Sequence, residues 1–288
     1  MAKIIWDQTG QRFYETGVNH GVLYVMKDTI TDQSDPYQAG VPWNGLTSVS
    51  NSASGGEATA LWADDIKYLN LISTEEATLS VEAYTYPEEF EQCDGTREIT
   101  DGVTIGQQPR KQFGFAYRTT VGNDQLSNEY GYKLHLVYGC YASPSDKSYQ
   151  TINDSPEAIS FSWSVTTTPV NVTGNKPTAT LTIDSTKTTA AKMAAIEAVL
   201  YGQDAAEAVA AVYTATSDAT PQTGVTYYTR GGTEGAYTFS EFEGSTFTNG
   251  TTYYTLTTPA QDAVTASNPR LPLPDEIITI MNGAGSSN

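Results

Sequence analysis

Ile159-Ser160-Phe161-Ser162-Trp163-Ser164-Val165-Thr166 sets an apolar residue against a small polar one at every step. A strand turns successive side chains to opposite faces, so this period of two makes one greasy face and one polar face. The same period runs through Tyr132, Leu134, Leu136 and Tyr138 against Lys133 and His135. It returns in Phe113, Phe115 and Tyr117 against Gly114, Ala116 and Arg118, and in Leu79, Val81 and Ala83 against Ser80 and Glu82. Further strands are expected at 21–26, 61–72 and 178–184. Several short alternating strands separated by turn signals predict a mainly β chain built as a sandwich or barrel.

One segment has a different period. Ala190–Tyr201 is alanine-rich, with Met193, Ile196, Val199 and Leu200 on one stripe. Thr189 stands where an N-cap belongs and Gly202 where a helix stops. This predicts a single helix flanking the sheets. Two stretches read as arms. Residues 34–57 are rich in Ser, Gly, Asn and Pro, carry Trp43 and Leu46, and are too long for a hairpin loop. Residues 268–281 place Pro269, Pro272 and Pro274 around Leu271 and Leu273 and ahead of Ile277, Ile278 and Ile280. The prolines impose an extended path, and the apolar residues need somewhere to dock, on their own domain or on a neighbour.

Late in the chain Gly224-Val225-Thr226-Tyr227-Tyr228-Thr229 recurs as Gly250-Thr251-Thr252-Tyr253-Tyr254-Thr255. Each copy follows a Tyr-Thr pair, Tyr213-Thr214 and Tyr237-Thr238, and Asn249-Gly250 signals a hairpin turn. Residues 205–265 therefore read as a small inserted β unit, leaving 1–204 and 266–288 as the body. The insertion has few aliphatic residues and would pack on Tyr and Phe. Tyr227, Tyr228, Tyr253 and Tyr254 are also candidates for stacking on a sugar.

Charge and composition narrow the chemistry. The 288 residues carry 33 acids and 15 bases, a formal charge of -18. Affinity for nucleic acid comes largely from Lys and Arg on phosphates, so a tight grip on DNA is not expected. From Glu57 to Asp101 there are 12 acids and 2 bases. That run is either a solvated face or a repulsive surface with a role. The 2 histidines, His20 and His135, have no Cys or carboxylate at ligand spacing. No nucleophile elbow, zincin, phosphate-loop or dinucleotide pattern is present. Glu88, Glu89, Glu91 and Asp94 cluster without the spacing of a calcium loop. No catalytic residue, metal or cofactor is expected, and an enzyme is the third choice. Cys93 and Cys140 read as reduced thiols. No secretory h-region and no run of about 20 apolar residues is seen, so no membrane partner and folding in the cytoplasm are expected. On that reading the sequons at Asn153-Asp154-Ser155, Asn171-Val172-Thr173 and Asn249-Gly250-Thr251 are chance matches.

A set of segments in order then carries a resemblance. Gly17-Val18-Asn19-His20-Gly21-Val22-Leu23-Tyr24, Trp43-Asn44-Gly45-Leu46-Thr47-Ser48-Val49 and Ile66-Lys67-Tyr68-Leu69-Asn70-Leu71 belong to it. So do Glu82-Ala83-Tyr84-Thr85-Tyr86-Pro87, Gly106-Gln107-Gln108 and residues 131–139, the run from Ile152 to Pro169, and Arg270-Leu271-Pro272-Leu273-Pro274-Asp275-Glu276. Together they resemble the major tail proteins of siphophages that infect Gram-positive bacteria, over 17–202 and 268–281. The resemblance implies a β-sandwich/barrel tail-tube fold with one flanking α-helix, a long loop, a C-terminal arm and, outside the matched part, a small β insertion. It implies hexameric rings stacked into a non-contractile virion tail tube, assembled in the host cytoplasm. Its partners would be the chain itself, the tape-measure protein, tail terminator and distal tail proteins, and double-stranded DNA that passes without tight binding.

On that basis Trp43, Leu46, Leu271, Leu273, Ile277 and Ile278 are the expected contacts between subunits. Glu82, Glu88, Glu89, Glu91 and Asp94 are the expected lumen-facing acids. The alternative is an adhesion module of a virion or cell surface that binds host glycans through the Tyr-rich insertion.

Overall fold

The computed structural model describes residues 4–145, 147–149, 151–152, 158–233 and 236–283. The sequon at Asn153-Asp154-Ser155 and the centre of the run beginning at Ile152 lie outside the described residues. The protein is mainly β, with 46% of residues in strands and 11% in helices. It divides into two compact units, Met1–Gly202 with Asn268–Asn288, and Gln203–Ser267.

The first unit contains twelve strands among its described residues: β1 (Phe13–Val25), β2 (Val41–Trp43), β3 (Leu46–Ser54), β4 (Ala58–Ala63), β5 (Ile66–Ile72), β6 (Glu76–Ala83), β7 (Arg97–Thr100), β8 (Val103–Ile105), β9 (Phe113–Asn123), β10 (Ser127–Ala142), β11 (Phe161–Thr166) and β12 (Thr180–Asp184). Its helices are the single turn α1 (Glu91–Asp94), α2 (Ala190–Tyr201) and α3 (Pro274–Gly283). Eight strands join in the order β2-β1-β9-β10-β11-β6-β3, with β12 also on β10. Every pairing is antiparallel.

β10 is the spine of this sheet. It lies along β9 on one side. On the other it pairs β12 through Lys133–Val137 and then β11 through Tyr141 and Ala142. The change of partner happens at a bulge between Val137 and Cys140. Gly139 sits in it at φ +56°, where a Cβ would stand 2.4 Å from the Thr168 carbonyl oxygen. Only glycine meets both conditions without strain. Beyond this bend the sheet folds back on itself. Trp43 of β2 and Trp163 of β11, far apart in strand order, have ring centroids 5.5 Å apart.

The period of two then sorts side chains between two cores. Leu23, Val25, Phe113, Phe115, Tyr117 and Val137 join Leu79, Val81, Trp163 and Val165 from the other half of the sheet. Val22, Tyr24, Ala116, Leu134, Leu136 and Tyr138 point the opposite way and are covered by Met193, Ile196 and Leu200 of α2 and Ile277 of α3. The first core is strongly aromatic. Phe90 lies 4.5 Å from Trp43 and 5.1 Å from Trp163 between ring centroids, and such pairs add roughly 0.5–1.5 kcal/mol each beyond the area they bury.

Helix α2 spans the expected residues. Thr189 holds the N-cap position in extended geometry, but its side chain makes no capping bond. Its carbonyl accepts from Met193 N at 3.0 Å. Three expectations are corrected. Residues 34–57 are not a free loop: Tyr37 and Trp43 are buried, and 46–54 form β3 on the sheet edge against β6. The outer half of β3 has both faces in solvent, so it never acquired an apolar period. The 268–281 stretch does not stay extended either. Pro274 begins α3, a position where its missing N–H costs nothing, so the described body has a second flanking helix. The expected strand at 61–72 is a hairpin. Asp64 and Asp65, at φ 51° and 60°, make a two-residue turn between β4 and β5.

The second unit carries β13 (Val212–Ala215), β14 (Tyr227–Thr233), β15 (Ala236–Phe242) and β16 (Tyr253–Thr258), in the order β13-β16-β14-β15. Its two ends run together through bridges Gln203–Ser267, Ala206–Val264 and Val209–Gln261. The repeated sequence has a structural cause. Tyr227 Oη accepts from Gln222 N at 3.2 Å, and Tyr253 Oη accepts from Thr248 N at 3.0 Å. In both copies the first tyrosine of the pair thus closes the loop that begins five residues before it. The unit's interior is aromatic: Tyr213 stacks on Phe239 at 4.0 Å and Phe247 on Tyr253 at 4.0 Å.

Candidate assembly surfaces

Several titratable groups are engaged in structure. His135 Nε2 is 2.8 Å from Thr119 Oγ1 and its Nδ1 is 3.2 Å from Thr182 Oγ1, while the ring stacks on Tyr117 at 4.7 Å. Burial holds the imidazole below its ordinary pKa, against the pull of Glu15 at 3.5 Å. Burial also pushes the Cys93 thiol up to about 12 and raises Cys140. Neither sulfur is therefore a thiolate near neutral pH. Among the described residues no cluster of three or more His, Cys, Asp or Glu is placed to hold a metal. Among them too, no helix is long and apolar enough to cross a membrane.

The residues expected to contact other subunits are mostly interior. Trp43, Leu271 and Ile277 are 3%, 0% and 4% exposed. Leu46 packs on the first core and Leu273 on the second. Trp43 Nε1 donates to the Thr85 carbonyl at 2.9 Å, and Leu271 enters the space above Gly114, where a Cβ would stand 2.2 Å from its Cδ2. These side chains are apolar because the fold of their own chain needs them, and the buried ones leave no exposed surface. Ile278 alone of the set is largely exposed, at 49%.

Of the expected lumen acids, Glu82, Glu88 and Glu89 are exposed and Glu91 is half-buried. Asp94 is corrected. It is 5% exposed, paired with Lys147 Nζ at 2.7 Å, and its carbonyl accepts from Arg110 Nη2 at 2.9 Å. A buried carboxylate needs such a partner and cannot line a channel. The proposed sugar-stacking aromatics are corrected too. Tyr227, Tyr253 and Tyr254 are buried and Tyr228 is half-buried, because a unit with so little aliphatic content builds its core from them.

The structure exposes other surfaces that were not singled out. On the β4–β5 hairpin, Trp62, Ile66, Tyr68, Leu71 and Ile72 are each at least 60% exposed. Every residue of β5 is exposed, on both faces of the ribbon. So many large apolar side chains left exposed on one short ribbon are unusual for a monomer. At the base of the hairpin, β3 is an edge strand of nine residues, Leu46–Ser54, with no charge and no proline. Edge strands exposed to solvent are normally guarded by such residues. β7 and β8 form a second exposed ribbon carrying Ile99, Val103 and Ile105, and Ile4, Ile5 and Trp6 are exposed near the start of the chain. The signal for the hairpin was legible: an Asp-Asp pair splits an apolar run with no polar alternate face. Compared with known family models and with curated proteins, the chain matches none.

Proposed function

We propose that this chain is the tube-forming subunit of a long non-contractile phage tail, a β-sandwich of the tail-tube kind whose copies close into hexameric rings and stack. One observation carries the proposal: the β4–β5 hairpin exposes a double-faced apolar ribbon beside an unguarded edge strand. A monomer gains nothing from either feature, whereas copies that pair edges and cover ribbons remove both liabilities. The ordered resemblance over 17–202 and 268–281 supports the same reading. A heterologous contact repeated by rotation closes a ring, and stacking extends it.

The acidic balance suits a conduit. Glu82, Glu88 and Glu89 are exposed, and a wall carrying them would repel passing DNA. Tape-measure, terminator and distal tail proteins are the partners this role requires. The unit Gln203–Ser267 would then be a decoration on the tube. The glycan-binding alternative loses ground, because its four tyrosines are used in packing.

Electron microscopy and sedimentation of the full chain test the proposal. Rings or tubes are expected. Trp62→Ser with Tyr68→Ser should leave the monomer folded and abolish them. A parent protein that stays monomeric up to millimolar concentration in every salt condition overturns the reading. Replacing 203–267 by a short Gly-Ser link should leave tubes intact, and loss of all assembly would remove the decoration role.

A further inference from the structure

A cleft of about 500 Å³ is lined by Arg97, Arg110 and Lys111, together with Asp28, Gln92 and Gln108. Three of the 15 basic residues of a chain with net charge -18 meet there. Their charges are poorly used. The Arg97 side chain makes no hydrogen bond or ion pair among the described residues, its backbone alone being tied to β8. Arg110 gives one Nη2 bond to the Asp94 carbonyl, and its buried Nε has no partner. Lys111 pairs with Asp28, whose side chain is 75% exposed, and an exposed pair of that sort is weak and exchangeable. The cleft is within the roughly 300–1,000 Å³ of built ligand sites, and its chemistry calls for carboxylates. Guanidinium forks take carboxylates two bonds at a time.

A matching group is on the same molecule. The β4–β5 turn presents Asp64 and Asp65, both exposed and without an ion pair or side-chain hydrogen bond among the described residues. Their positive φ values, 51° and 60°, belong to a tight turn that places two adjacent carboxylates at the end of the ribbon. The surroundings match as well. Trp62 and Ile66 flank the acidic tip at 69% and 62% exposure, and Arg97 opens the β7–β8 ribbon with Ile99 and Val103 at 60% and 47%. An acidic tip with apolar flanks thus answers a basic cleft with an apolar neighbour.

We propose, on the self-assembly reading above, that the Asp64-Asp65 tip of one copy docks in the Arg97–Arg110–Lys111 cleft of the next. The contact is heterologous, since tip and cleft are different surfaces, so it propagates instead of stopping at a dimer. It also supplies register. Copies at -18 repel one another at long range, and a local reversal of sign selects the one approach that is attractive.

The test uses the full chain. Asp64→Asn with Asp65→Asn removes the charge while keeping a residue type that accepts the left-handed turn. Arg97→Glu changes an exposed residue that supports nothing else. Each variant should unfold at the parent temperature and need at least a 10-fold higher concentration to assemble. Mixed together, the two should form a 1:1 complex at a concentration where each alone is monomeric, because each retains the half the other lacks. Raising salt from 0.15 to 0.5 M should weaken that complex. Variants that assemble like the parent, or a mixture that stays monomeric, overturn the docking while leaving self-assembly standing. A parent that never associates overturns both.

Discussion

β10 and the β4–β5 hairpin both carry strings of large apolar residues, and the fold treats them in opposite ways. Leu134, Leu136 and Tyr138 of β10 are at most 1% exposed, with Val137 facing the other core at 2%. Leu69, Leu71 and Ile72 of β5 are 41%, 60% and 68% exposed. Hydrophobicity is nearly equal, so it does not decide burial. What decides is whether the strand has layers on both sides. β10 lies between the folded-back sheet and the helices, whereas β5 has only β4 beside it. The difference teaches that burial of an apolar strand depends on the layers laid against it, and the β4–β5 ribbon has none within its own chain.

One matched substitution tests that contrast most sharply. Leu136→Ala should cost about 2–5 kcal/mol in denaturant unfolding, the range for a buried leucine whose site cannot collapse. Leu71→Ala, the same chemical change, should stay within about 0.5 kcal/mol for the monomer. Similar losses at both sites would mean that the hairpin is core after all. Next in size is Gly139→Ala. It forces a Cβ against the Thr168 carbonyl at a left-handed φ, and should cost about 1–3 kcal/mol, with β11 losing amide-exchange protection before β9 does. Uniform loss across the sheet would show that the bend is not where β10 changes partner.

The smallest effect is in pH. His135, at a half-buried position on β10, has a lowered pKa because burial disfavours the imidazolium. The unfolded chain therefore binds more protons between that lowered value and the ordinary 6.5, and stability falls as pH drops below 6.5. Glu15 acts in the same direction at lower pH. Burial would raise its pKa, but hydrogen bonds from Lys133 and Thr119 outweigh that and hold it below 4.5. Its contribution is present above 4.5 and is lost as pH falls through the folded value. In thermal melts His135→Asn should flatten the slope between pH 7 and pH 5 and leave the slope near pH 4 in place. An unchanged slope from pH 7 to 5 would show that another group titrates there. No comparable effect is expected from the hairpin, which has no buried ionisable group.

Legibility followed the layers. Strands with a large apolar face in a core announced themselves by alternation, as Phe161–Thr166 did with one face buried and Phe113–Asn123 with small residues on its second buried face, and α2 by its stripe. β3 stayed hidden because Ser48, Ser50, Ser52 and Ser54 meet no core. α3 stayed hidden behind Pro272 and Pro274, whose local meaning is an extended chain until a buried Ile277 makes the next turn favourable. The surface residues fared worst. Trp43 and Leu271 looked like contacts for a neighbour because they lay in loop-like sequence. Trp62 and Ile66, which are exposed, looked like ordinary strand.

The sequence by itself determined the mainly β character, α2, the paired tyrosine repeat and the excess of acid, since each depends on local period, composition or count. Only the tertiary structure decided which apolar residues are interior and which acids are free. Burial depends on what lies across the layer from a side chain, and nothing within a few residues of Trp43 or Asp94 records that.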